Sequence, residues 1–436
     1  MPHTPSSPGP TAAAAHARFT ADSQPTVAEP ARRPAPDRGR TLLGPALTLI
    51  HTGRTPTRSA LTAELDVTRA TAGAVAAELA ALGLVTVDPH PIGTGRGRPS
   101  HRLGITPDGP LVLAAQLHAD GLSVALAGLG GVLGEPVHHP LPADTGPEQV
   151  LRAIAEAGAA LIRGTRRRCL GAALALPHPV TEPDGTALAA LHFGWPSGTP
   201  VGALFAELLA EQLAAADLGP RVRHPLPTAV ANDANLAALA EYRHGAGRDA
   251  RHLLLVTAGH RGVGGALVVD GRLHTGSAGL ALEVGHLTVD RCGRDCPCGN
   301  RGCLNVETDP QALLAAADRT PAPGVPLLAQ AQAVIRAADH DPRAREAVDQ
   351  VAKLLAIGLA GLANILNPDR IVLSGLHREL LAAAPDRLRA IVADRSLWGR
   401  VCQVRIVAAE LEHAELVGAA ELAWQPYLAD PQLAAR

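Results

Sequence analysis

LEVGHLTVDRCGRDCPCGNRGCLN, residues 282–305, is the stretch whose reading decides the fold. The eighteen residues from His286 to Cys303 hold one imidazole and the thiols of Cys296, Cys298 and Cys303, with Gly293, Gly299 and Gly302 between them and Gly285 just before. Four such donors suit tetrahedral Zn²⁺, and a site that fills all four positions with protein ligands is a closed, structural one. The short CPCG and GNRGC turns let the backbone curl so that three sulfurs converge. LTVDR alternates like a strand and is expected to return the chain from His286 to the metal. A disulfide is the competing reading, and Cys292 is a spare thiol that would replace one of the four.

Joined to Glu283–His286, which reads ExGH, this spacing resembles the ROK family of sugar kinases and sugar-responsive repressors. The family pattern here is roughly GExGH, then CxCGxxGCLE. The resemblance implies zinc held by His286, Cys296, Cys298 and Cys303 beside a sugar pocket. Two positions depart from the pattern: Leu282 stands where glycine is usual, and Asn305 where the family places a glutamate that commonly contacts the sugar.

A chain of 436 residues exceeds one ordinary domain, so two or three are expected. Hydrophobic residues make up 47%, mostly Ala, Leu and Val, which is ample for a core. A net charge of −2 argues against whole-molecule affinity for polyanions and leaves room only for a local basic patch. Six cysteines in this length make no disulfide framework, and their clustering suits a reducing, cytoplasmic setting. The start, MPHTPSSPGPTAAAAHARF, lacks an apolar core behind a basic segment. VAKLLAIGLAGLANIL, residues 351–366, is short for a span and carries Lys353, so it reads as a buried helix and no membrane partner is expected.

Residues 1–40 are rich in Pro, Ala, Ser and Thr without periodicity and read as a disordered tail. Residues 41–104 form a compact unit. LLGPALTLIH is a short helix. Ser59, Leu61, Ala63 and Leu65 fit a second. Asp66–Val67 makes a turn, Thr68 is an N-cap, Val75, Leu79 and Leu82 recur at helical spacing, and Gly83 closes the third helix. A strand, the loop PIGTGRGRPSHRL and a return strand follow. Three helices and a hairpin with an arginine tip describe a winged helix-turn-helix. Its recognition helix would present Thr68, Arg69, Thr71 and Ala72 to the major groove. Arg96, Arg98 and Arg102 would contact phosphates or the minor groove. The segment holds six arginines against four acids, a mildly basic patch on an acidic chain. GRGRP is also a familiar wing sequence in the DNA-binding half of ROK repressors. Operator DNA is therefore the expected partner, met by a homodimer or homotetramer because symmetric operators match two-fold symmetry.

ITPDGP, residues 105–110, reads as a linker. Beyond it, strands alternate with helices and two β-hairpins open corresponding halves, which indicates an α/β protein. The order resembles the two-lobed actin-like kinase fold over residues 110–425. Asn232–Asp233 closes a strand and opens a helix. A carboxylate there accepts a bond from a sugar hydroxyl, serves as general base in a kinase, or merely caps the helix. The resemblance favours a ligand site of Asn232, Asp233, Glu283 and His286, with one nitrogen of His286 on zinc and the other toward sugar. Trp195 is a further candidate, stacking on a sugar face.

ROK kinases open their catalytic lobe with a DxGxT phosphate loop. Here the stretch is AAQLHADGLSVAL, with Gln116 at the aspartate position and Leu117, His118 and Ala119 in place of a tight glycine turn. TAGHRGVGGA inserts His260 and Arg261, SGLHRE keeps only Gly375 where a pair is common, and His178 replaces a glycine in LPHPV. The phosphate elements are eroded while the sugar side remains, so no enzyme activity is expected. The expectation is a DNA-binding transcriptional regulator, a repressor responding to a sugar or sugar derivative. The alternatives are a sugar kinase with an appended DNA-binding domain, and a ligand-independent regulator whose lobe docks another protein.

Overall fold

Two threonines set the N-terminal helices. Thr57 Oγ1 accepts from the Ala60 N–H at 3.2 Å and Thr68 Oγ1 from the Thr71 N–H at 3.2 Å, capping α2 (Arg58–Leu65) and α3 (Arg69–Ala81). Asp66, left-handed at φ 49, ends α2. Leu61, Val75 and Leu79 pack with Leu43, Leu47 and Ile50 of α1 (Leu43–His51). The strands β1 (Val85–Ile92) and β2 (Ser100–Ile105) then pair antiparallel, with Val85 opposite Ile105 and Val87 opposite Leu103.

This is a computed structural model, and it describes residues 42–92, 100–142, 144–181, 183–188, 194–259, 262–397, 400 and 404–435. The expected tail over 1–40, Arg96 and Arg98 of the expected wing, and His260 and Arg261 lie outside the described residues. Thr68 and Arg69 are exposed, Thr71 is half-buried, and Arg102 is exposed on β2. Ala72 corrects the sequence reading: it is fully buried. It precedes Val75, Ala76 and Leu79 by three, four and seven residues, which places it on the apolar stripe of α3.

The remaining elements build two lobes of one plan. In the first, β3 (Leu111–His118), β4 (Gly121–Ala127) and β5 (Val137–Pro140) form an antiparallel hairpin array; α4 (Pro147–Gly164) leads to β6 (Cys169–Leu176). A small ribbon of β7 (Val180–Thr181) and β8 (Thr186–Ala187) precedes α5 (Val201–Ala215) and β9 (Thr228–Asn232). The sheet order is β5-β4-β3-β6-β9, with β3, β6 and β9 parallel. Every residue of β6 is buried, as a strand covered on both faces requires.

Helix α6 (Asp233–His244) follows β9 and precedes the second lobe. There β10 (His252–Ala258), β11 (Val263–Val269) and β12 (Arg272–Leu273) repeat the antiparallel opening. After α7 (Leu304–Thr308), α8 (Pro310–Ala316), α9 (Leu327–Ala337) and α10 (Pro342–Leu366) comes β13 (Arg370–Gly375); α11 (Leu376–Ala383) and α12 (Pro385–Arg395) precede β14 (Arg405–Ala408). The order β12-β11-β10-β13-β14 matches the first sheet strand for strand. Helix α10 is long and apolar enough to cross a membrane by length and composition, but Val351, Leu355 and Leu359 lie in the core of this lobe. The last helix, α13 (Ala414–Ala429), buries Trp424 and Tyr427 in the same core as α1.

Candidate functional site

A cleft of about 1360 Å³ is lined by both lobes and by the first turns of α6 and α13. All four residues expected to hold a ligand, Asn232, Asp233, Glu283 and His286, line it. The turn from β9 into α6 places the first two. Asn232 Oδ1 accepts from the Asn235 N–H at 3.1 Å, capping α6, and its Nδ2 donates to the His178 carbonyl at 3.1 Å. Asn232 thus ties the helix to the loop after β6. Asp233 Oδ1 accepts from the Ala234 N–H at 2.7 Å. Burial, and then the Glu415 carboxylate, push the Asp233 carboxyl up to about 7. Glu415, in the first turn of α13, was not singled out from sequence, because nothing local to it signals that it faces Asp233.

The wall opposite is the 282–305 segment. Leu282 takes a left-handed backbone at φ 69, so the chain keeps the conformation glycine favours while carrying a side chain. Glu283 is exposed at the rim, and His286 closes a short 3-10 turn, Val284–His286. Asn305 Oδ1 accepts from the Val263 N–H at 2.7 Å, pinning this wall to the start of β11. Trp195 does not reach the cleft. It is buried, donates from Nε1 to the Thr145 carbonyl at 3.1 Å and stacks against His178 with ring centroids 5.3 Å apart. It therefore supports the cleft from behind His178.

The ligand atoms of His286, Cys296, Cys298 and Cys303 all lie within 4.8 Å of one another. Cys298 and Cys303 sulfurs are 3.8 Å apart, and Cys296 Sγ is 3.8 Å from His286 Nδ1. A tetrahedron with metal–sulfur bonds of ~2.3 Å has edges of ~3.8 Å, so the donor set fits one metal ion. Separations of this size exclude S–S bonds, and the five described cysteines are free. Cys292 is exposed and stands outside the group. LTVDR does not form the expected strand; only an isolated bridge, Thr288 to Cys303, pairs it. The turn is set instead by Gly302, at φ 66, where a Cβ would collide with the Asp290 carbonyl. Glu307, buried and missed from sequence, accepts from the Arg294 N–H at 2.6 Å and holds the knuckle to α7. Burial and the neighbouring thiols push Cys303 up to about 12, whereas the Asn300 backbone N–H lowers Cys298. A cation in the pocket is what would let all three sulfurs ionise together.

The β3–β4 hairpin also lines the cleft. Gln116 and His118 line it where a phosphate loop would need glycines and an aspartate. His118 Nδ1 is 2.7 Å from Asp120 Oδ1, and its Nε2 is 3.0 Å from Ser123 Oγ. Those spacings match a nucleophile relay. Ser123, however, lies mid-strand between Gln116 and His138, so the ladders claim the amides that would steady an oxyanion. The three residues act as a polar brace for the hairpin.

The sequence profile of the ROK family matches residues 119–425. The chain is 40% identical to a glucokinase of Halalkalibacterium halodurans over 166 residues, 34% of this chain and 49% of that protein. It is 26% identical to the xylose repressor of Caldicellulosiruptor bescii over 281 residues, 62% of this chain and 66% of that protein. The chain thus spans about half to two thirds of the length of these curated relatives. In fold it is similar to a ROK family transcriptional regulator, a homologue of Escherichia coli Mlc, with TM-score 0.69 at 24% identity, covering 90% of this chain and 97% of that one. With its duplicated sheets, its cleft, its cysteine knuckle and a family match over most of its length, the chain belongs to the ROK family.

Proposed function

We propose that this protein is a DNA-binding transcriptional regulator, a repressor, whose two-lobed part senses a sugar or sugar derivative. The observation that carries the reading is the set of side chains that line the cleft. Asn232, Asp233, Glu283 and His286, the residues expected on the sugar side, line it, and the same lining carries the Gln116 amide and the side chain of His118 in place of a phosphate cradle. Phosphoryl transfer depends on positioning and on charge neutralisation around the phosphates, and an amide in place of a carboxylate does not recruit Mg²⁺.

The N-terminal helices support the DNA-binding half. Thr68 and Arg69 open α3 in exposed positions, with Thr71 beside them and Arg102 on the adjoining strand. Thr68, Arg69 and Thr71 would meet base edges, and Arg102, with Arg96 and Arg98, the phosphates. Zinc is the metal that the Cys₃His set suits, held by His286, Cys296, Cys298 and Cys303. It would fix the pocket wall and leave the second nitrogen of His286 for a sugar hydroxyl. A homodimer or homotetramer acting in the cytoplasm completes the reading, since a paired head matches a symmetric operator.

Asp233 supports the sensor half. A carboxyl that titrates near neutrality both donates and accepts hydrogen bonds with hydroxyls. The same property suits a general base, so the second reading is a sugar kinase, favoured by the likeness to a glucokinase. Two assays decide. Selecting bound DNA from a random pool, with and without D-glucose, D-xylose and N-acetyl-D-glucosamine, is expected to return one symmetric motif and a sugar-dependent affinity. ADP release across the same sugars is expected to stay at background, and turnover would replace the regulator reading with the kinase one.

A further inference from the structure

Outside the cleft lining, three side chains converge on one buried carboxylate. Glu421, on α13, is 1% exposed. His51 Nε2 lies 2.8 and 2.9 Å from its two oxygens, His244 Nε2 lies 2.9 Å from Oε1, and Arg243 Nη1 donates to Oε2 at 2.5 Å. The three donors come from two separate places in the chain. His51 is the last residue of α1, in the helical unit that carries α3. Arg243 and His244 are the last residues of α6, whose first residue is Asp233. Burial by itself would raise the Glu421 carboxyl, but His51, His244 and Arg243 hold it well below the usual carboxylate range.

His51, His244 and Glu421 are close enough to hold a metal ion. Hydrogen placement argues otherwise. His51 Nδ1 accepts from the Gly130 N–H at 2.8 Å, so Nε2 carries the ring hydrogen and Glu421 accepts it. Metal on Nε2 would put that hydrogen on Nδ1, facing the Gly130 N–H. Arg243 on the same carboxylate adds a positive charge beside any cation. The cluster is an internal hydrogen-bonded joint.

We propose that Glu421 couples the ligand cleft to the DNA-reading head, by registering α1 on the far end of the helix that begins at Asp233. The proposal rests on the sugar-sensing reading above. Helix α6, twelve residues long, spans ~18 Å at ~1.5 Å per residue, a rigid link from cleft to joint. It cannot slide freely against α13, because Gly418 lets the two backbones touch: a Cβ there would strike the Leu236 carbonyl. The joint is tightened on either side. Gly131 leaves room for the His244 ring only because it has no Cβ, and Arg248 donates from Nη2 to the Thr52 carbonyl at 3.1 Å. A tilt of α6 as the cleft closes on a ligand is therefore passed to Glu421 and on to α1. A buried carboxylate with three donors has few alternative arrangements, so the joint holds or breaks as a unit.

The test compares the full-length wild type with Glu421→Gln, whose amide leaves donors facing donors, and with His51→Phe. The second variant removes only the head's share and leaves Glu421 paired with Arg243 and His244, so the lobes stay folded. Amide hydrogen exchange over residues 43–51 is expected to rise on the order of tenfold or more in both variants while α10 stays protected. The affinity of each protein for pool-selected DNA is then measured with D-glucose, D-xylose and N-acetyl-D-glucosamine. Sugar dependence present in the wild type and lost in His51→Phe supports the coupling. Equal sugar dependence in both, or unchanged exchange in α1, overturns the coupling and leaves the sensor reading standing. A wild type whose DNA affinity and melting temperature ignore every sugar removes the sensor reading, and the coupling with it.

Discussion

Replacing Asp233 with Asn is expected to remove a pH-dependent loss of stability. The carboxyl titrates at about 7 in the folded chain, against an ordinary 3.8, because burial and then the Glu415 carboxylate disfavour its charge. The folded state therefore binds this proton more tightly than the unfolded one. Its contribution is fully present below 3.8 and is lost as pH rises through about 7. At ~1.36 kcal/mol per pH unit the full span is about 4 kcal/mol, of which about 2.5 kcal/mol falls between pH 5 and pH 8. Asn at this position keeps an oxygen for the Ala234 N–H, so that bond survives, the Asn232 cap is untouched and only the titration goes. Denaturant unfolding of both proteins at several pH values gives the comparison. Glu415 and Asp309, whose carboxyls burial also raises, slope in the same direction and are common to both chains, so they largely cancel in the difference. The stability advantage of Asp233→Asn is expected to grow by about 2.5 kcal/mol from pH 5 to pH 8. A difference that stays within ~0.5 kcal/mol across that range would refute the assignment of Asp233 as a carboxyl held protonated near neutrality.

Cys298→Ser should lower bound zinc well below about one equivalent per chain by elemental analysis and destabilise the second lobe by several kcal/mol, since metal binding and folding are coupled. Purified wild type without zinc would defeat the ligand assignment. Arg69→Ala should weaken binding to pool-selected DNA by ~1–3 kcal/mol in a mobility-shift titration while zinc content and melting stay unchanged. Unaltered affinity would move the recognition surface away from α3. Gly418→Ala places a methyl against the Leu236 backbone, so thermal unfolding should show a loss of ~1–3 kcal/mol or more, and a neutral substitution would mean α6 and α13 move apart easily.

Much of this was readable before any fold was known, and for local reasons. The metal knuckle is a matter of short spacing: four donors inside eighteen residues have few other ways to converge. Helix starts at Thr68 and Asn232 carry their own caps, and β6 declares its burial by an unbroken apolar run. Local signals also misled. LTVDR has the alternation of a strand, but it pairs only briefly, across Thr288 and Cys303, before the chain turns away. Ala72 sits at the exposed end of its helix, yet on the side that faces the core. Trp195 has the chemistry of a sugar platform and was taken into the packing beneath His178.

By itself the chain determined which four donors gather into one cluster, which segments of the first unit are helical, and that two similar lobes follow it. Only the tertiary structure decided that Asp233 feels the Glu415 carboxylate, that Asn305 braces β11, and that His51, Arg243 and His244 share Glu421. His51 and Glu421 are 370 positions apart. No periodicity or spacing links residues that distant, because their meeting is set by how α1 and α6 pack against α13. The strength of a charge–charge contact depends on the burial which that packing creates.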